Sequence, residues 1–216
     1  GQLMIATLIG GTGLTGSFLA RALLADPAIT KVISVSRRPL GITDAKLHEV
    51  LVADLAELPA IAPQIRGQLY FCCLGTTIKT AGSQENFERV DSTAIVDFAR
   101  IAKAHDARSL TLVSAMGANA RSRIFYNRVK GRTEADVTAV GLRSLVIFRP
   151  ALLVGPRQEN RPAERFAMMT VVPLSRLLPA RARKGVLTEA ETLAARMLFE
   201  GKRAPEGVHV IRAKDI

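Results

Sequence analysis

A chain of 216 residues is one large domain or two small ones, able to bury roughly 70% of its unfolded surface in a core that needs no staples, and its 48% hydrophobic content fits a globular protein. The net charge of +11 raises nucleic acid, a membrane surface or anionic small molecules as partners. The basic residues form no long tract, aromatics are only 5% and no DNA- or RNA-binding motif occurs, so no nucleic acid partner is expected.

The chain enters on "LMIATLIG", a strand-like segment without a basic leader, and a cytoplasmic location is expected from that. Apolar, β-branched runs follow in order at Leu3–Ile9, Lys31–Val35, Leu47–Val52, Leu69–Leu74, Ser109–Val113, Ser144–Phe148 and Val208–Ile211. Most are continuous rather than alternating, as strands covered on both faces are. Helical spacing lies between them at Leu14–Ala25, Asn86–Ala104, Arg123–Val140 and Thr188–Glu200. Strands alternating with helices predict an α/β fold: one Rossmann-type, doubly wound parallel sheet of about seven strands in a single domain over residues 1–216. No apolar run approaches the ~20 residues of a membrane span. Cys72 and Cys73 are adjacent in an apolar run, which suits reduced thiols and not a disulfide or a metal site. The stretch 156–185 breaks the rhythm with Arg, Pro and "FAMMTVV", and reads as a short substrate-side excursion.

Residues 9–16, "IGGTGLTG", overlap two glycine patterns: Gly11, Gly13 and Gly16, or Gly10, Gly13 and Gly16. The loop follows a predicted strand and opens a predicted helix, the context a dinucleotide-binding turn requires. One glycine permits the turn, another lets the backbone approach a pyrophosphate, and the last allows close helix–strand packing. The helix start then offers free N–H groups. Thr12, Leu14 and Thr15 complete this candidate cofactor loop.

NAD sites carry an acidic residue ~20 positions beyond the glycines. Here the stretch is "VSRRP", with Arg37 and Arg38 and no carboxylate. A guanidinium grips a 2′-phosphate bidentately, so NADP(H) is expected over NAD(H), with Arg37 as first choice. The alternative is a solvated basic loop. Asp54, after the third strand, suits either a bond to the adenine amino group or a helix N-cap.

Tyr126 stands four residues before Lys130 in "YNRVK", on one face of a predicted helix. Ser114 closes the fifth strand-like run twelve residues before that tyrosine. With the glycine loop, "ADL" at 53–55, "CCLGTT" at 72–77, "LVSAMGAN" at 112–119 and "FRPALLVGPR" at 148–157, this order resembles the short-chain dehydrogenase/reductase superfamily over nearly the whole chain. "SAMGAN", "FYNRVKG" and "RQENRPAE" at 157–164 resemble its atypical, Tat-interacting-protein-like branch.

The resemblance implies Tyr126 as proton donor to a carbonyl oxygen, Lys130 as the cation that lowers its pKa and holds the nicotinamide ribose, and Ser114 as the group holding the substrate oxygen. It implies cofactor contacts at Leu55, Leu74, Gly75, Thr76 and Pro150. Arg157, Glu159, Arg161 and Glu164 fall where members bind substrate; the arginines hold a carboxylate or phosphate there, or the four pair among themselves. In one respect the chain departs from the pattern: Asp91, in "RVDST", replaces an asparagine that many relatives use in a proton relay. An NADP(H)-dependent oxidoreductase of a small carbonyl or alcohol is therefore expected. The rival is an NADPH-binding regulatory protein without turnover. A nucleotide-sugar epimerase needs a larger substrate domain than the residues after Pro150 supply.

Overall fold

A computed structural model describes residues 1–75, 78–156 and 171–216. Seven strands form one parallel sheet: β1 Met4–Ile9, β2 Ile29–Ser36, β3 Leu47–Leu51, β4 Leu69–Cys72, β5 Ser109–Val113, β6 Ser144–Arg149 and β9 Gly207–Arg212. Their spatial order is β3-β2-β1-β4-β5-β6-β9. β7 (Leu152–Val154) and β8 (Leu187–Glu189) make a separate parallel pair.

The sheet is covered on both faces, as its near-continuous apolar strands require. Side chains alternate across a strand, and β1 shows the consequence. Ala6 and Leu8 join a core with Leu19 and Leu23 of α1 (Leu14–Ala25). Ile9 joins the opposite core, with Leu58 of α2 (Leu58–Ile61). Short helices α3 (Ile78–Ala81) and α4 (Gln84–Glu88) lead into α5 (Ile95–Ala104), whose Phe98 and Ala99 enter that second core. α6 (Phe125–Ala139) packs beside α5 and contributes Val137. After α7 (Ala180–Lys184), helix α8 (Ala190–Arg203) places Leu193 and Met197 beside α1 in the first core. Among the described residues no helix is long and apolar enough to cross a membrane.

The doubly wound parallel sheet is as expected, and three details differ. The predicted helix Asn86–Ala104 is interrupted: Arg89–Ala94 forms a π-helical turn between α4 and α5. The predicted start at Thr188 belongs to β8, where Thr188 pairs with Leu153 and its hydroxyl accepts from the Ala151 N–H at 3.0 Å. The third strand ends at Leu51, and Val52 turns into the core.

Strand order reverses between β1 and β4, the point at which doubly wound sheets open a crevice at the carboxyl edge. The Cys73 N–H donates to the Ile9 carbonyl at 2.9 Å, which holds the two strand ends together there. The glycine loop, the β4 end and the β5 end all leave the sheet at this edge.

Candidate functional site

The glycine loop separates the two overlapping patterns. Gly10 has φ +85, and a β-carbon on it would sit 2.5 Å from the Cys73 carbonyl carbon. A β-carbon on Gly16 would overlap the Gly10 carbonyl oxygen. Gly11 faces only the Leu40 and Leu8 side chains, which can give. The steric demand therefore falls on Gly10 and Gly16, with Gly13 between them. Gly13 is the N-cap of α1, with no side-chain cap and no acid in the first turn. Its N–H donates back to Gly10 at 3.2 Å. The start of α1 thus keeps N–H groups without a side-chain cap at the crevice, where Gly13 is exposed.

A cleft of about 210 Å³ adjoins this loop. Gly11, Thr12, Ser17 and Arg21 line one side, and Arg38, Pro39, Leu40 and Ile42 the other. Arg38 is thus the arginine of the pair placed beside the loop, and Arg21, one helical turn beyond Ser17, is a second that sequence reasoning missed. The Ser36 hydroxyl donates to the Arg38 carbonyl at 2.6 Å and pins this turn. Arg37 instead acts electrostatically on Asp54.

Asp54 caps the short turn Leu55–Glu57: it accepts from the Ala56 N–H at 2.8 Å, and its own N–H donates to Glu57 at 2.8 Å. Arg89 grips both carboxylate oxygens at 3.0 and 2.8 Å. The Ala56 N–H first, and then Arg89, hold its carboxyl below the usual range. Leu55 and Leu74 pack partly into the core, Gly75 is exposed, and buried Pro150 accepts the Met116 N–H at 3.0 Å. Thr76, Arg157, Glu159, Arg161 and Glu164 lie outside the described residues.

Tyr126 and Lys130 do share one face of α6. Tyr126 is half-buried against Phe87, with ring centroids 5.4 Å apart, and the Lys130 ammonium lies 5.7 Å from its ring centre. A third group joins them. Asp91 reaches from the π-helical turn to Lys130, Oδ2 to Nζ 2.5 Å, with side-chain exposures of 0% and 4%. The extra residue of a π turn advances the side chains that follow, and such turns gather at functional sites. Thr133, also on α6, reaches that turn with a hydroxyl proton shared between the Val129 carbonyl at 2.8 Å and the Asp91 carbonyl at 2.9 Å.

Burial pushes the Tyr126 phenol above its ordinary value; Lys130 pulls it down and Asp91 pushes it back. Burial works against the Lys130 ammonium, yet Asp91 and Tyr126 hold it above its ordinary value. The Cys72 thiol, pushed up to about 12 by burial, also feels Lys130 and Asp91. Lys130 therefore lies close to the end of β4, beside the glycine-loop strand.

Ser114 has a different partner. Its hydroxyl donates to Glu134 at 2.6 Å, one helical turn past Lys130. Glu134 is buried and also receives Arg149 at 2.6 Å through Nη2 and 3.1 Å through Nε. Glu134 and Arg149 escaped the sequence reading, although Arg149 directly precedes Pro150 in "FRP".

No protein-family profile matches the chain. Fmp52 of Emericella nidulans is 31% identical over 208 residues, 93% of this chain and 88% of that protein. HTATIP2 of Rattus norvegicus is 36% identical over 163 residues, 74% of this chain and 67% of that protein. The crystal structure of the Bordetella bronchiseptica enzyme WbmG in complex with NAD superposes with a TM-score of 0.73 at 15% identity, over 98% of this chain and 73% of that one. A short-chain dehydrogenase family protein from Francisella tularensis gives 0.66 at 11% identity, over 98% of both chains. At these identities the solved structures speak for the fold alone. The relatives correct one expectation: the Fmp52 proteins of Emericella nidulans and Aspergillus fumigatus are named mitochondrial, so the cytoplasmic location read from the first strand does not stand. The chain belongs to the family of the fungal Fmp52 proteins and rat HTATIP2, and it shares its fold with a short-chain dehydrogenase family protein.

Proposed function

We propose that the protein is an NADP(H)-dependent oxidoreductase acting on a small carbonyl or alcohol, with Tyr126 as the proton donor. One observation carries this reading. The Tyr126–Lys130 pair sits at the end of β4, next to a loop whose Gly10 and Gly16 leave no room for side chains and whose helix start is uncapped. A dinucleotide fits that loop, because its pyrophosphate needs close backbone approach and open N–H groups. When bound, the cofactor supplies the hydride.

The chain's own residues do the rest. Arg38 and Arg21, on the cleft wall, hold the 2′-phosphate, a role the sequence first gave to Arg37. Asp54 and Leu55 border the adenine, and Leu74, Gly75, Thr76 and Pro150 border the nicotinamide half. Lys130 keeps N–H donors beyond its bond to Asp91 and offers them to the nicotinamide ribose. Tyr126 gives its phenolic proton to the carbonyl oxygen. The stretch 156–185 forms the substrate side, with Arg157 and Arg161 holding an anionic group on the substrate.

A second reading, an NADPH-binding regulatory protein without significant turnover, is favoured by Ser114. Its single hydroxyl proton is spent on Glu134 and cannot also serve a substrate oxygen. Fluorescence titration with NADPH and NADH, followed by a turnover screen over carbonyl compounds, tests both. Reduction of some carbonyl with NADPH preference is the expected result. Equal affinities would remove the NADP(H) assignment, and tight NADPH binding with no turnover would leave the regulatory reading.

A further inference from the structure

The buried Asp91–Lys130 pair does more than fill space. Lys130 is the positive charge that acts on Tyr126 among the described residues, and a lone ammonium there would draw the proton off the phenol. It is not alone. Asp91 meets it at 2.5 Å with both side chains almost wholly buried, so Asp91 takes back part of what the Lys130 charge does to the tyrosine. Among the described residues, the titratable groups near the pair add little charge of their own. Cys72, from β4, stays a thiol because burial pushes it up to about 12. Phe87, from α4, is apolar. Glu134 and Arg149, farther along α6 and at the end of β6, neutralise each other. A buried pair that loses one member leaves an unpaired buried charge, so the arrangement is fixed and not a passing contact. The π-helical turn and the Thr133 bond hold Asp91 in that place.

We propose that Asp91 is a positioning residue that sets the direction of the proton step. Burial first holds Tyr126 protonated, and Asp91 adds to it by opposing the Lys130 charge, which suits the site to reduce carbonyls and not to oxidise alcohols near neutral pH. The proposal rests on the oxidoreductase reading. Hydride from NADPH would form the new C–H bond at the carbonyl carbon as its own C–H bond breaks and NADP+ is left, while the carbonyl π pair moves onto oxygen and takes the Tyr126 proton, the phenol O–H bond breaking as the substrate O–H bond forms. The phenolate left behind recovers a proton from water. In the reverse direction the phenolate must exist before the alcohol proton can leave, and the Asp91 carboxylate opposes it.

The test needs neither cofactor nor turnover, so a chain that reduces nothing can still pass it and the two failures are separable. The protein has two tyrosines and no tryptophan. Labelling the tyrosine Cζ with ¹³C gives two resonances, and Tyr126→Phe assigns them. In the parent, Tyr126 is expected to titrate at or above the ordinary ~10, or only as the fold is lost. In Asp91→Asn its midpoint is expected to fall by about one pH unit or more. A parent midpoint well below ~10, or one that Asp91→Asn leaves unmoved, overturns the proposal. Asp91→Ser, which leaves room for water beside the ammonium, serves if the asparagine variant does not fold. If both variants unfold, the charge-free pair Asp91→Asn/Lys130→Met decides: a Tyr126 midpoint moved by less than about one pH unit supports the proposal, and a larger rise, which means Lys130 acts unopposed in the parent, overturns it.

Discussion

Ser114 and Glu134 are joined across the end of β5 and the middle of α6 by a 2.6 Å hydrogen bond, with the serine as donor to a buried carboxylate. Arg149 closes the same carboxylate from β6, so three elements are tied at one atom group. The bond gives Ser114 a job in holding the floor of the site, whatever else it does.

A bond to a charged, buried acceptor is worth about 1.5–3 kcal/mol. Ser114→Ala should therefore lower unfolding stability by that order. The Glu134→Gln change should cost more, since it leaves Arg149 without its counter-charge. In a double-mutant cycle by urea unfolding the two should couple by about 1 kcal/mol or more. Additive losses would mean that the serine is energetically independent of the carboxylate.

The cleft beside the glycine loop makes Arg38 the stronger claimant for a 2′-phosphate, with Arg21 beside it. Arg38→Ala should weaken NADPH by about tenfold or more, the loss of one charge-assisted contact. NADH should be held as before, because it carries no 2′-phosphate. Arg37→Ala should change either affinity by less than about threefold. Isothermal titration with both cofactors checks the pattern, and an Arg37 loss exceeding the Arg38 loss would return the role to the first choice of the sequence.

The difference between those two arginines shows where sequence reading stops. Period and run length locate β2, and the missing carboxylate after it speaks for a phosphate. Adjacent residues at a strand end leave in opposite directions, and a pattern of letters does not say which one turns toward the loop. Asp91 is a similar case. It was noticed as a departure, yet its pairing with Lys130 spans 39 positions and depends on a π turn, and apolar positions spaced as in Asn86–Ala104 look the same with or without that extra residue. Glu134 looked like one more polar position on a helix of low apolar contrast. β7 and β8 are three residues each and pair across the 156–185 excursion, too short and too separated for any periodicity. What was legible was the repeated: the parallel sheet, the glycine spacing and the i, i+4 pair.

Alkaline pH should expose the cost of the buried acids around the site. Cys72 has a folded value of about 12 against 9.0 when free, and Tyr70, Tyr126 and Lys130 are also raised. For each, the folded state holds its proton longer than the unfolded chain. Their stabilisation is whole below the unfolded value and lost as pH rises through the folded one. Stability should thus be flat near pH 8 and fall from about pH 9 to pH 12, with Cys72 alone accounting for about 4 kcal/mol of the decline. Cys72→Ala should start less stable, from its small cavity, but fall less steeply. Urea midpoints at half-unit steps measure the two slopes, and parallel slopes would rule out the thiol as a source.

The last prediction separates the fold from the ligand at the glycine loop. Gly10 needs its φ of +85 and has no space for a β-carbon against Cys73, so Gly10→Ala should fail to fold or lose several kcal/mol. Gly13 is different. Its backbone is extended, φ −79 and ψ 178, which alanine adopts freely. Among the described residues a β-carbon there meets only the Gly10 carbonyl oxygen, at the ordinary distance of 3.5 Å. It would project from the start of α1 into the crevice, where a pyrophosphate approaches the backbone. Gly13→Ala should therefore melt within a few degrees of the parent when no ligand is added, since alanine at an N-cap costs about 1 kcal/mol or less relative to glycine. It should also lose the stabilisation that NADPH gives the parent, about 2.7 kcal/mol at a hundredfold excess over Kd. A melt without ligand and a melt with saturating NADPH, for parent and variant, make a four-point comparison. If Gly13→Ala melts like the parent and still gains the full shift with NADPH, the cofactor does not lie over this loop.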